Sequence, residues 1–87
     1  MPLNARGARG ELRVGHKVVA KLAAWTLQES RLEAKADGEV NAYWLSGDYP
    51  VSLALPMGRK EWVWSNVEVH DATDPLVVVV AGSPEVR

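Results

Sequence analysis

Few residues in this chain could carry chemistry. His16 and His70 are the only histidines, and there is no cysteine. The lack of thiols excludes disulfide staples, thiolate zinc sites, iron–sulfur clusters and cysteine nucleophiles. His70-Asp71, with Asp74 nearby, could supply imidazole and carboxylate ligands, yet the spacing fits no metal motif, and His and Asp at strand ends commonly serve turns and caps. A hydroxyl nucleophile needs an imidazole beside it and an acid to orient that imidazole. Ser30, Ser46, Ser52, Ser65 and Ser83 all lie outside any nucleophile-elbow pattern. Gly7, Gly10 and Gly15 are not spaced as in a P-loop or a dinucleotide fingerprint. The eleven carboxylates read as a charged surface. These residues point to a protein that is not an enzyme, with no catalytic residue, no metal and no cofactor.

The aromatic side chains offer a different kind of chemistry. The chain has four tryptophans, two tyrosines and no phenylalanine, and such rings must be buried or meet a partner. Arg59 and Lys60 beside Trp62 and Trp64 could form a base-stacking platform with a phosphate-binding rim. Glu61 lies between them and the surrounding body is acidic, so core packing or an inter-subunit contact is the preferred reading. Charge is polarised along the chain: residues 1–21 carry Arg6, Arg9, Arg13, Lys17 and Lys21 against Glu11, net +4, which leaves −5 for residues 22–87. Overall net charge is −1, unlike the strongly basic balance of a nucleic-acid binder.

The elements that must position these residues follow from period and turn chemistry. Residues 1–10 hold Gly, Arg, Pro and Asn without an apolar period, and read as a flexible basic arm. Residues 11–87 read as a single β domain. Leu12 and Val14 lead to a turn at Gly15-His16, and a second extended run opens at Lys17. Within 18–35, Val18, Leu22, Trp25 and Leu32 could share a helix face. The alternation of Trp25 and Leu27 with Thr26 and Gln28, and of Leu32, Ala34 and Ala36 with charged residues, favours strands. Asp37-Gly38 signals a hairpin turn into a strand over Val40 to Leu45, with Tyr43 and Trp44 on opposite faces. Val51, Leu53 and Leu55 point one way. Pro56-Met57-Gly58-Arg59 turns the chain, and Trp62 and Trp64 then share a face opposite Val63.

Leu76 to Ala81 is the longest apolar run and is far too short to span a bilayer. Its four consecutive valines ask for cover on both faces, either as a central strand of the domain or with a partner's help. Residues 1–13 do not read as a signal peptide. Turns about every ten residues predict an all-β fold, a small antiparallel sandwich or barrel.

Leu12-Arg13-Val14-Gly15-His16-Lys17-Val18-Val19-Ala20 running into Trp25-Thr26-Leu27, and the block Tyr49-Pro50-Val51-Ser52-Leu53-Ala54-Leu55-Pro56-Met57-Gly58, resemble the virion structural proteins of tailed bacteriophages, loosely the tail-tube family. The similarity spans residues 11 to 64, in a chain shorter than a usual tube subunit. It implies a structural subunit (tail-tube-like, head-to-tail connector or capsid decoration) assembled in the bacterial cytoplasm into the virion. Its partners would be copies of itself or other virion proteins, with no membrane and no nucleic acid. The expected partner interface comprises Arg6, Arg9, Arg13, Trp62, Trp64, Leu76, Val77, Val78, Val79 and Val80. The alternatives are a single-strand nucleic-acid-binding β-barrel and a small phage-encoded inhibitor of a host protein.

Overall fold

A computed structural model describes residues 4–72 and 75–87. The chain is all-β. Its strands are β1 (Asn4–Val14), β2 (Lys17–Gln28), β3 (Arg31–Ala36), β4 (Val51–Met57), β5 (Lys60–Asp71), β6 (Leu76–Val79) and β7 (Glu85–Val86), with one 3-10 turn at Ala42–Leu45. Neighbours pair antiparallel in the order β1-β2-β3-β6-β5-β4, and β4 returns to β1, which closes a six-stranded barrel. Of the two expected architectures, the barrel is the one that forms. The short β7 adds to β5 outside this ring, pairing Trp62 with Val86 and Val63 with Glu85.

The barrel interior is filled by alternate side chains of each strand, as period two requires. Trp64, Leu53, Leu12 and Ala20 form one layer through the pairs Leu53↔Trp64, Leu12↔Leu53 and Leu12↔Ala20. Leu27, Leu32 and Val78 form another through Leu27↔Leu32 and Leu32↔Val78. The whole set joins one apolar cluster, and no polar or charged residue among those described is buried. Residues 18–35 are strand throughout apart from the Glu29-Ser30 turn, so the helical alternative for them is not realised.

The segment expected as a flexible arm reads differently in the structure. Residues 4–10 are the first part of β1 and pair with β2 from Asn4↔Gln28 to Gly10↔Leu22. The physical reason is a change of side-chain parity that period counting cannot follow. Ala5 and Gly7 face inward, then Gly10, Leu12 and Val14 do, and the step falls at Arg9, whose φ of 69° is left-handed. On β2 the inward set changes from Ala20 and Leu22 to Trp25 and Leu27 across Ala23, where the β2–β3 register also shifts. Arg9 and Ala23 fall opposite each other, so both strands of the ribbon step together and the buried faces stay matched.

A further expectation is corrected. Val40 to Leu45 is not a strand. The edge of β3 that such a strand would have used belongs to β6, and residues 37–41 instead bond to the β2 edge, Asp37 N–H to Lys21 O at 2.8 Å and Asn41 N–H to Val19 O at 3.1 Å. The following 3-10 turn carries Leu45 into the core. Of the two readings of the Leu76 to Ala81 run, the central strand is the one that forms, with Leu76–Val79 paired with β3 on one side and β5 on the other. Leu76, Val78 and Val80 are buried, while Val77 and Val79 are half-buried and point outward.

Candidate protein interface

The expected interface residues separate into three groups. Trp64 is 3% exposed, and its Nε1 donates to the Gly82 carbonyl at 3.3 Å. With Leu76, Val78 and Val80 it belongs to the core and cannot meet a partner in this fold. Trp62 is half-buried, its ring centroid 6.2 Å from that of Trp64 at 83°. The two rings do share a face, as expected. Their perpendicular packing and the burial of Trp64 remove the flat platform on which bases would stack.

The outward valines are fenced by charge. Val77 lies between Glu33 and Asp71, and Val79 between Arg31 and Glu68, in the cross-strand pairs of β3, β6 and β5. Charged neighbours on either side interrupt the apolar surface that four valines would otherwise present.

The three arginines also differ among themselves. Arg13 is half-buried and held within the chain by ion pairs to Glu11 and, at 3.9 Å, to Glu61. Arg6 and Arg9 are exposed and have no carboxylate partner among the described residues. They lie on the part of β1 that has separated from β4. Only Glu11, Leu12 and Arg13 pair with β4, so Asn4–Ala8 bonds to β2 along one edge and to no described strand along the other. A second open edge occurs on β5. Its pairing with β4 ends at Val67↔Val51, and beyond it Glu68 and Val69 pair with β6 on one side and with no described strand on the other, where they line a groove with Leu45, Ser46, Gly47 and Tyr49.

A surface that periodicity did not reveal lies at the other end of the β1–β2 ribbon. The 3-10 turn and the loop after it gather Tyr43, Trp44 and Tyr49. Trp44 sits 5.4 Å from Tyr43 and 4.9 Å from Tyr49 between ring centroids, and the two tyrosine hydroxyls are 3.2 Å apart. Lys17 Nζ stands 4.8 Å over the Trp44 ring. Tyr43 is 66% exposed. The hydrogen bond to Tyr43, which favours the protonated Tyr49 hydroxyl as donor, raises the Tyr49 phenol above its ordinary value of 10.0, with desolvation and Asp48 acting in the same direction. The only sequence signal for this cluster was the aromatic pair itself. Placing it on a strand would have separated the rings that the turn brings together.

The polar groups weighed for catalysis do not converge. His70 Nε2 lies 3.2 Å from Glu68 on the exposed face of β5, and no serine hydroxyl bonds either histidine among the described residues. No group of three metal-ligating side chains occurs among those residues, and Asp74 lies outside them. A groove of about 330 Å³ crosses the β1 step and is lined by Arg9, Glu11, Lys21, Asp37 and Glu61, a mixture of both signs suited to a polar protein contact. No described helix is long and apolar enough to cross a membrane. No family model matches the chain, and neither a curated protein nor a solved structure shows significant similarity to it.

Proposed function

We propose that the chain is a non-enzymatic structural subunit that acts by protein–protein packing, assembled in the bacterial cytoplasm into a virion of the tailed-bacteriophage kind. The observation that carries this reading is the open edge of β1. The barrel buries its apolar core within one chain, yet leaves Asn4–Ala8 with an edge that no described strand pairs, next to two exposed arginines with no carboxylate partner among the described residues. Open edges recruit strands from other chains, and unpaired charge selects which chain is accepted. The exposed Tyr43–Trp44–Tyr49 cluster supports the same reading, because aromatic side chains are favoured at protein contacts. Sedimentation and negative-stain microscopy of the full chain over a range of concentrations test it. Regular assemblies growing with concentration are expected.

One observation favours a second reading. Lys17 over Trp44, next to exposed Tyr43, is a small basic and aromatic surface of the sort that grips single-stranded nucleic acid. Asp48 and Glu39 nearby in the same connection weaken it. A chain that stays monomeric and binds single-stranded oligonucleotides with a steep salt dependence would replace the structural reading by this one.

A further inference from the structure

From the positions of the two open edges we infer that a second copy of this chain is the occupant of the β1 edge, and that it pairs there through the open edge of its own β5. The inference rests on the structural reading above and specifies its contact. Both β1 and β5 run antiparallel to β4. Their open portions lie toward opposite ends of that strand. β1 leaves β4 at Gly10, toward the C-terminal end of β4, whereas β5 leaves it after Val67, beyond the N-terminal end at Val51. Stacking copies end to end along β4 with a sideways offset of about one strand spacing brings the β1 edge of one copy alongside the β5 edge of the next. The two strands run in the same direction and form a parallel pair. The contact is heterologous, so each copy uses one edge of each kind and the series continues as a ring or a filament.

Charge decides between this partner and the simpler symmetric one. Two β1 edges meeting each other would set Arg6 and Arg9 against their own copies, and like charges at close quarters oppose pairing. The β5 edge offers the complement: Glu68 is 80% exposed there and meets exposed His70 at 3.2 Å. Behind the charged side chains, half-buried Ala5 and Gly7 on β1 and Val69 on β5 belong to the inner face, so pairing would extend the apolar lining past each barrel end.

The test uses the full chain and two charge-inverted variants, Arg6→Glu with Arg9→Glu, and Glu68→Arg, followed by sedimentation velocity with circular dichroism to confirm folding. Each variant alone is expected to need about a hundredfold higher concentration for half-assembly, because an opposite-charge contact becomes a like-charge one. An equimolar mixture should return to the parent's behaviour, since each variant then supplies the edge that the other requires. If the parent assembles while inversion changes nothing, or the mixture fails to recover, the edge pairing is overturned and the structural reading stands with a different contact. A parent that stays monomeric at every concentration overturns the pairing outright, and oligonucleotide binding by that monomer overturns the structural reading with it. Should an inverted variant unfold, Arg6→Gln with Arg9→Gln and Glu68→Gln put the same question, with a loss of about tenfold expected.

Discussion

The indole Nε1 of Trp25 donates a 2.8 Å hydrogen bond to the carbonyl oxygen of Arg9. Arg9 is the residue at which β1 changes face, and its left-handed φ turns that carbonyl out of the ordinary ladder. Trp25 is 3% exposed, so the bond satisfies a buried donor and holds the step in the β1–β2 ribbon at the same time. Trp25→Phe removes the donor and part of a buried ring, and is expected to cost about 1–3 kcal/mol through the lost hydrogen bond and the smaller side chain. Urea denaturation reads this directly. A loss near zero would mean that the step is held by strand pairing alone.

Gly7 carries a linked expectation. A Cβ at this position would lie 2.8 Å from Cζ2 of Trp25, closer than atoms approach without displacement. Gly7→Ala should therefore destabilise by about 1–3 kcal/mol through overpacking. Because the ring is tethered to Arg9, the penalty should shrink when combined with Trp25→Phe, whose smaller ring can yield. A double-mutant cycle measures that coupling. Strict additivity would place the strain elsewhere.

Val78 and Val79 point to opposite faces of β6, and only Val78 is fully buried. Val78→Lys is expected to unfold the chain, since it puts an unpaired charge into the barrel interior. Val79→Lys should remain folded, with its ammonium beside Glu68 on the outer face. Circular dichroism and thermal melting distinguish the two. Equal destabilisation would contradict the orientation of this strand.

The same contrast separates the paired tryptophans of β5. Trp64→Ala should cost on the order of 3–5 kcal/mol as a large buried side chain is lost. Trp62→Ala should cost clearly less, since Trp62 is only half-buried. Fluorescence of single-tryptophan variants offers a second check, with Trp64 expected to emit as the more shielded ring.

Tyr49 gives a pH expectation. Its phenol is raised above 10.0, first by its hydrogen bond to Tyr43, then by desolvation and Asp48. A phenol raised in the folded state holds its proton more tightly folded than unfolded, so its contribution to stability is complete below pH 10.0 and declines as pH rises through that value toward the folded one. Tyr43→Phe removes the first cause and should lower the Tyr49 ionisation midpoint in an ultraviolet titration of tyrosinate. An unchanged midpoint would assign the shift to the other two causes.

What the sequence determined by itself was local. Alternation in Trp25–Leu27, Leu32–Ala36 and Val51–Leu55 specified strands and their buried faces, and Gly15 marked a turn whose φ of 62° suits glycine. Tertiary structure decided what depends on partners far along the chain. The strand formed by Arg31–Ala36 meets Leu76–Val79 in place of the nearby Val40 to Leu45, and this frees the latter to fold as a 3-10 turn and assemble the tyrosine–tryptophan cluster. The apolar run over Leu76 to Ala81 asked for two-sided cover, but a closed barrel covers its inner face and pairs both its edges, and flanking charges guard the outer one. Residues 4–10 show the same limit from the other side. Their composition carries no apolar period, yet the missing side chain at Gly7 lets the backbone pack against the Trp25 ring, and half-buried Ala5 packs against the core. Side-chain period reports which face a residue prefers, whereas strand partnership is set by the closure of the whole barrel, to which every pair contributes at once.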